Sequence, residues 1–257
     1  MSNISNVFKP GHKALVPYIT VGYPDIETTI EAAVLLARSG CDIIELGIPF
    51  SDPLADGATI QKASYHALKN GVNLEKCLET AGKISGRIKN TPLVFMGYYN
   101  PILQYGMREF CHSAKEAGVG GLIVPDLPPE EGMELQEQTR SQGMALIYLL
   151  SPASSDKRIG VVVSKGDGFI YLVSITGVTG TRETLPRELE YFVGRVRIKT
   201  ELPLCVGFGI SSPEQARRVA RVADGVIVGS RIIQLIEEDN SLASLQSFAM
   251  DLREALG

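Results

Sequence analysis

Short apolar runs alternate with amphipathic stretches along the whole chain. Eight runs are rich in aliphatic and β-branched residues, and they are Ala14–Val21, Cys41–Ile48, Leu93–Tyr99, Gly121–Val124, Ala145–Leu150, Phe169–Ile175, Leu204–Phe208 and Gly225–Val228. Runs that are apolar at nearly every position are typical of parallel strands covered on both faces. We therefore predict eight parallel strands.

The segments between these runs carry apolar residues at helical spacing. They include Ile26–Arg38, Met107–Ala117, Glu130–Ser141, Leu189–Lys199 and Pro213–Val222, and also Thr59–Lys89, which is broken at Asn70–Asn73 and so predicts two consecutive helices. Strand and helix alternate without a linker, which indicates one domain over residues 1–257. We predict an α/β fold, a single-domain (β/α)8 TIM barrel with extra short helices; on pattern alone, an open doubly wound sheet is the alternative.

The ends of several predicted helices carry the residues that such ends prefer. Asp25 is placed to cap the first helix, and Ser212 precedes Pro213 in what reads as the first turn of a later one. Gly40, Gly118 and Gly143 follow helices where a left-handed residue is wanted. These signals agree with the boundaries that the apolar pattern predicts.

Composition narrows the cellular setting and the partners. The polar stretch Met1–Pro10 lacks a signal-peptide core and no window of eighteen apolar residues occurs, so we expect a cytoplasmic protein without a membrane anchor. Four scattered cysteines without a CxxC pair are expected to be buried, reduced thiols. A net charge of -4 without a basic run gives nucleic acid little to bind.

Two carboxyl groups stand out near the predicted end of the second strand, and TIM-barrel active sites lie at such ends. Glu45 interrupts an apolar strand, where burial would raise its pKa and suit it to exchange a proton near neutral pH. A salt-bridged glutamate is the alternative. Asp56 follows in a proline- and glycine-rich loop, and Asp52 in the same loop competes for its role. From the residues alone the choice between the two aspartates stays open.

Glycines after the last three strands predict a phosphate site. They lie in Gly177-Val178-Thr179-Gly180, in Gly207-Phe208-Gly209, and in Gly229-Ser230 at the start of a short helix. Glycines let backbone N–H groups approach an oxyanion, and the helix N-terminus adds partial positive charge.

Other kinds of chemistry find little support. The three histidines, His12, His66 and His112, lie away from the predicted strand ends, so we expect no metal site. No lysine ends a strand, which disfavours Schiff-base chemistry. Tyr98 and Tyr171 lie on strands where they could reach the barrel mouth, although a core role for Tyr171 is equally consistent with its position.

One long run resembles the signature of tryptophan synthase α subunits. It reads Glu45-Leu46-Gly47-Ile48-Pro49-Phe50-Ser51-Asp52-Pro53-Leu54-Ala55-Asp56-Gly57. The resemblance covers nearly the whole chain, and includes Pro17-Tyr18-Ile19-Thr20, Val124-Pro125-Asp126-Leu127-Pro128, Gly177–Gly180, Gly207–Ser211 and Gly229-Ser230. Tyr18 stands where many members carry phenylalanine, and Ala58 where proline is common. These departures put rate and coupling in doubt more than the type of reaction.

The resemblance implies a carbon–carbon lyase that releases indole from indole-3-glycerol phosphate in tryptophan biosynthesis. It makes Glu45 the catalytic acid and base and lets Asp56 interact with the indole nitrogen. The substrate-binding residues it implies are Tyr18, Tyr98, Tyr171, Thr179, Gly180, Gly207, Phe208, Gly209, Gly229 and Ser230.

The same resemblance implies a partner. It predicts a β subunit that carries pyridoxal phosphate in an α2β2 complex, and no cofactor on this chain. Asp52 and Pro53 are candidates for coupling to that partner, or form an ordinary turn. Two alternatives remain: another phosphate-binding barrel, such as a sugar-phosphate isomerase or epimerase, and a non-catalytic allosteric partner of the β subunit.

Overall fold

The computed structural model describes residues 4–173, 187–207 and 209–257. Its strands are β1 Ala14–Thr20, β2 Ile44–Gly47, β3 Leu93–Met96, β4 Val119–Ile123, β5 Ala145–Ile147, β6 Leu149–Leu150, β7 Ile170–Val173, β8 Leu204–Gly207 and β9 Gly225–Val228. They follow the spatial order β5-β4-β3-β2-β1-β9-β8-β7-β6, and the paired strands are parallel.

The barrel closes through one extended segment that belongs to both ends of this order. Tyr148 alone separates β5 from β6. The segment's first half pairs with β4 and its second half pairs with β7, while the Tyr148 carbonyl accepts from the Tyr171 N–H at 3.1 Å. The predicted run Ala145–Leu150 is therefore one strand of an eight-stranded barrel, interrupted where it changes partners. The TIM-barrel prediction is confirmed, and the open sheet is wrong.

Helices surround the strands. They are α1 Ile26–Arg38, α2 Ala58–Lys69, α3 Leu74–Ser85, α4 Tyr99–Tyr105, α5 Met107–Glu116, α6 Met133–Ser141, α7 Asp156–Lys165, α8 Arg187–Arg197, α9 Pro213–Ala220, α10 Ser230–Glu238 and α11 Ala243–Leu256, with a 3-10 turn at Ser5–Val7. The break at Asn70–Asn73 separates α2 from α3 as predicted. None of the described helices is both long and apolar enough to cross a bilayer.

The predicted helix ends are confirmed. The Asp25 carboxylate accepts from the Thr28 N–H at 2.7 Å at the start of α1, and the Ser212 hydroxyl accepts from the Gln215 N–H at the start of α9. Gly40, Gly118 and Gly143 all adopt positive φ. All four cysteines are buried and free, in agreement with the prediction of reduced thiols.

Two apolar layers hold the barrel together. The larger lies between strands and helices. The smaller fills the barrel interior, and its buried members are Ile4, Ala14, Val16, Ile43, Val94, Ile123, Ala145, Ile147, Phe169, Cys205 and Ile227. Because side chains of a strand alternate between its two faces, the inward residues two positions further on form the next layer up. On β1, β2 and β7 those residues are Tyr18, Glu45 and Tyr171.

Candidate active site

Glu45 belongs to this upper layer and is completely buried. It pairs in register with Tyr18 of β1 and Val94 of β3, so its side chain points into the barrel. Among the described residues, neither carboxyl oxygen has a hydrogen-bond partner. Burial, and next the nearby charge of Asp56, raise the pKa of Glu45 to about 8. At neutral pH this carboxyl group is therefore predominantly protonated and can donate a proton.

Asp56 reaches the site from the loop between β2 and α2. The Tyr98 hydroxyl, which lies past the end of β3, donates a hydrogen bond to the Asp56 carboxylate and accepts one from the Ala55 N–H at 2.9 Å. Phe50 stacks on the Tyr98 ring with the centroids 5.0 Å apart. Tyr98 thus fixes both ends of the loop that presents Asp56.

The pKa of Asp56 is raised to about 6, because burial outweighs the hydrogen bond from Tyr98, which lowers it. Asp56 is therefore mostly ionised at neutral pH while Glu45 is mostly neutral. Asp52 is exposed, and its carboxylate accepts from the adjacent Ser51 hydroxyl at 3.0 Å. Asp56 and Asp52, between which the sequence alone left the choice open, thus differ in burial and in hydrogen-bond partners.

Two tyrosines occupy equivalent places on β1 and β7, in the same layer of the barrel as Glu45. A Cβ added at Gly47 would overlap the hydroxyl and ring of Tyr18, and one at Gly207 would lie 2.7 Å from the Tyr171 hydroxyl oxygen. Each tyrosine therefore leans over a glycine of the neighbouring strand. Burial raises the pKa of both phenols, and the charge of Glu45 contributes to each. The two rings and the Glu45 carboxyl group form one buried cluster.

A cavity of about 510 Å³ opens above this cluster. Its wall includes Asp56, Tyr18 and Tyr171, and also Gly207, Gly209, Gly229 and Ser230 around the ends of β8 and β9. A volume in this range suits a small molecule. Glu45 is not on the open wall, and it lies against the tyrosines that are.

The part of the cavity wall at the start of α10 is suited to an anion. Gly229 is the N-cap of α10, and it provides no side-chain cap, so N–H groups of the first turn face outward without an intrahelical acceptor. Ser230 begins the helix and lines the cavity. Thr179, Gly180 and Phe208, which the sequence also assigned to substrate binding, lie outside the described residues.

Sequence reasoning missed one part of the wall. Ser154 and Arg158 line the cavity beside Ser151, at the loop between β6 and α7. Ser151 directly follows the predicted strand Ala145–Leu150, whereas Arg158 lies in the first turn of a helix and only its three-dimensional position brings it to the cavity.

In the parts of the chain that the structure describes, no three His, Cys, Asp or Glu side chains are grouped to hold a metal ion. His12 instead pairs with Asp42 at 2.7 Å, and the His66 ring contacts the Pro24 carbonyl at 3.1 Å. Neither histidine lines the cavity.

The family model for the tryptophan synthase alpha chain matches residues 4–255. The chain belongs to this family. The tryptophan synthase alpha chain of Dehalococcoides mccartyi is 55% identical over 100% of both chains, and that of Roseiflexus sp. strain RS-1 is 48% identical over 93% of both. The resemblance stated from the run Glu45–Gly57 is confirmed.

Solved structures of tryptophan synthase agree with the alpha-chain fold. An aminoacrylate-bound form from M. tuberculosis is 34% identical with a TM-score of 0.91 and covers 100% of both chains. The alpha chain from Legionella pneumophila is 36% identical with a TM-score of 0.91, and the match covers 100% of this chain and 97% of that one. The closed barrel of this chain is thus shared with solved structures of the family.

Proposed function

We propose that the chain cleaves indole-3-glycerol phosphate to indole and glyceraldehyde 3-phosphate, as a carbon–carbon lyase of tryptophan biosynthesis. One observation carries this proposal: two carboxyl groups in different environments, Glu45 and Asp56, adjoin a cavity whose wall also includes a helix N-terminus suited to phosphate. Environments that separate the pKa values of two acids assign them different roles.

Glu45 has the protonation state for the first step. Its neutral carboxyl group donates a proton to C3 of the indole ring, which turns the ring into an indolenine cation and makes its N–H acidic. The resulting carboxylate then takes the proton of the side-chain hydroxyl next to C3 while the carbon–carbon bond breaks. The bonding electrons return to the ring, indole and the aldehyde are formed, and Glu45 regains its proton.

Asp56 is suited to the complementary role. Its ionised carboxylate, held by the Tyr98 hydroxyl, accepts a hydrogen bond from the ring N–H as positive charge develops there. Tyr18 and Tyr171 provide aromatic surface beside the ring. Both carboxyl groups must act on one ring, which is supported by the electrostatic interaction through which Asp56 raises the pKa of Glu45.

The phosphate group docks at the ends of the last strands in this proposal. Gly229 and Ser230 offer backbone N–H groups and a hydroxyl at the α10 N-terminus, and Gly207 and Gly209 line the same side. Thr179, Gly180 and Phe208 complete the substrate-binding set by resemblance to the family. Residues 1–257 act as one catalytic domain that needs no cofactor of its own.

We further propose that a β subunit carrying pyridoxal phosphate docks on the rim after β2, β3 and β4, in a cytoplasmic α2β2 complex. Large apolar side chains are exposed on this rim, namely Leu54 at 94%, Leu103 at 49% and Met133 at 64%. The three loops are joined: Ala55 donates to Tyr98, and the Tyr99 N–H donates to the Asp126 carboxylate at 3.0 Å. Exposed apolar residues on a connected rim are typical of a protein interface.

Indole release tests the proposal directly. The purified chain is incubated with indole-3-glycerol phosphate, with and without a β subunit, and indole is measured. We expect indole in both reactions and a faster rate with the partner. A rearranged sugar phosphate without indole would favour another phosphate-binding barrel. Stimulation of the β subunit without indole release would indicate a non-catalytic partner.

A further inference from the structure

A single positively charged side chain lines the cavity among the residues that the structure describes. It belongs to Arg158, in the first turn of α7, and the hydroxyl-bearing Ser151 and Ser154 lie on the same part of the wall. The cavity also contains Asp56, and the chain as a whole has a net charge of -4. A phosphate dianion entering this cavity meets repulsion from carboxylate groups, and Arg158 is the described wall residue whose charge opposes it.

Arg158 is held at the rim by a partner that it can leave. Its guanidinium forms an ion pair with Glu130, which lies between β4 and α6. Both side chains are partly exposed, at 35% for Arg158 and 53% for Glu130. Ion pairs with this exposure are weak because water screens them. Exchange of the Glu130 carboxylate for another anion therefore costs little.

The chemistry of arginine suits the anion in question. A guanidinium group presents paired N–H donors that match two oxygens of a phosphate, and it stays charged at any pH of interest. The positive charge of Arg158 does not stabilise α7, because the first turn of a helix favours negative charge. The N-terminus of α7 is already capped by the Ser155 hydroxyl, which accepts from the Arg158 N–H at 3.2 Å. The charge of Arg158 therefore finds its favourable partners outside α7.

The location of Arg158 in the barrel is also suitable. It follows β6, which pairs with β7, and β7 pairs with β8, whose end carries Gly207 on the cavity wall. Arg158 therefore lies two strands away from Gly207 around the barrel mouth, and both residues line the same cavity.

We propose that Arg158 is a further substrate-binding residue, whose guanidinium exchanges Glu130 for the anionic end of a small phosphate monoester in the cavity. This inference rests on the proposed function for the identity of the substrate, but the binding of a phosphate group can be measured without turnover.

Three variants of the full-length chain test it. Arg158→Gln should raise KM for indole-3-glycerol phosphate roughly three- to tenfold and leave kcat within about twofold, the size expected for one exposed charge. Arg158→Lys should recover part of this loss. Glu130→Gln removes the competing carboxylate and should lower KM by about twofold.

The opposite changes in KM expected for Arg158→Gln and Glu130→Gln distinguish a substrate-binding role from a purely structural ion pair. If the ion pair only fixes the β4–α6 segment, Arg158→Gln and Glu130→Gln break the same contact and must change KM in the same direction. That result would overturn the inference.

Titration calorimetry with glycerol 3-phosphate makes the test independent of catalysis. Its Kd should rise in Arg158→Gln by the same factor as KM, and an unchanged Kd would also overturn the inference. A wild-type chain that binds glycerol 3-phosphate through Arg158 but releases no indole would refute the proposed function and leave this inference standing.

Discussion

Replacing Glu45 with glutamine should make the protein more stable and almost inactive. Glu45 is completely buried, and both of its carboxyl oxygens lack a hydrogen-bond partner among the described residues. Glutamine has nearly the same shape but cannot ionise. The substitution therefore removes the free-energy cost of protonating this group on folding, and with it the proton that catalysis requires.

The size of the stability gain follows from the pKa. Folding raises the pKa of Glu45 from an ordinary 4.5 to about 8, so between these values the folded state holds a proton that the unfolded state has lost. Stability present below pH 4.5 is lost as pH rises toward 8, at about 1.4 kcal/mol per pH unit. The penalty is near zero at pH 4.5 and roughly 3 kcal/mol at pH 7, and glutamine avoids it.

Urea denaturation at pH 5 and pH 7 measures the gain, and indole release measures the loss. We expect Glu45→Gln to exceed the wild type in free energy of unfolding by under about 1 kcal/mol at pH 5 and by roughly 3 kcal/mol at pH 7. Turnover should fall by about 10²- to 10⁴-fold. The exposed Glu134→Gln is the matched control and should change neither quantity. A Glu45→Gln variant that is less stable at pH 7, or that retains turnover within tenfold, would refute the reasoning.

Three further substitutions test the other parts of the site. Asp56→Asn removes a charge that raises the pKa of Glu45, so the limb of the pH–rate profile that reports Glu45 should move to lower pH while kcat falls roughly 10²-fold. Tyr98→Phe removes a hydrogen bond that lowers the pKa of Asp56, so the acidic limb of the pH–rate profile should move to higher pH. The value of kcat/KM should fall roughly five- to tenfold. An acidic limb that does not move would contradict the hydrogen bond between Tyr98 and Asp56. Gly229→Asp should chiefly raise KM, because it places a carboxylate at the anion site. Gly229→Ala is the control, since an added Cβ there meets its nearest neighbours at ordinary distances of 3.6 to 3.7 Å. Equal KM values for the two variants would exclude a phosphate site at α10.

The spacing of apolar residues predicted most of the fold. It was wrong where strand pairing or side-chain packing sets the boundary of an element. The bounds of α1 and β9 match the predicted ranges Ile26–Arg38 and Gly225–Val228. The run Leu93–Tyr99 was read as a strand throughout, yet β3 ends at Met96 and Tyr99 begins α4. Apolar and aromatic residues suit a buried strand and a short buried helix equally, so hydrophobicity alone does not locate this boundary.

The site was predictable to the extent that burial alone determines it. A charged residue with apolar neighbours on both sides identified Glu45, because Ile43, Ile44 and Leu46 carry no group that is costly to bury. Asp56 could not be separated from Asp52, since the contact that distinguishes it comes from Tyr98, which lies past the end of β3 and more than forty residues away along the chain. Arg158 carried no local signal for the same reason: its place on the cavity wall depends on the closure of the barrel.

The glycines at the strand ends have two different explanations, phosphate binding and room for a neighbouring tyrosine ring. Sequence reasoning assigned Gly207 to phosphate binding, and it does line the cavity. Its missing side chain is also required by Tyr171, just as that of Gly47 is required by Tyr18. Gly47 lies on β2, outside the predicted phosphate loops, so the shared arrangement has a different cause: each glycine makes room for a phenol of the adjacent strand. A larger residue at either position would displace that phenol. In the proposed function, glycine at these strand ends therefore shapes the pocket for the aromatic part of the ligand, and Gly209 and Gly229, beyond β8 and β9, are the glycines left to bind the anion.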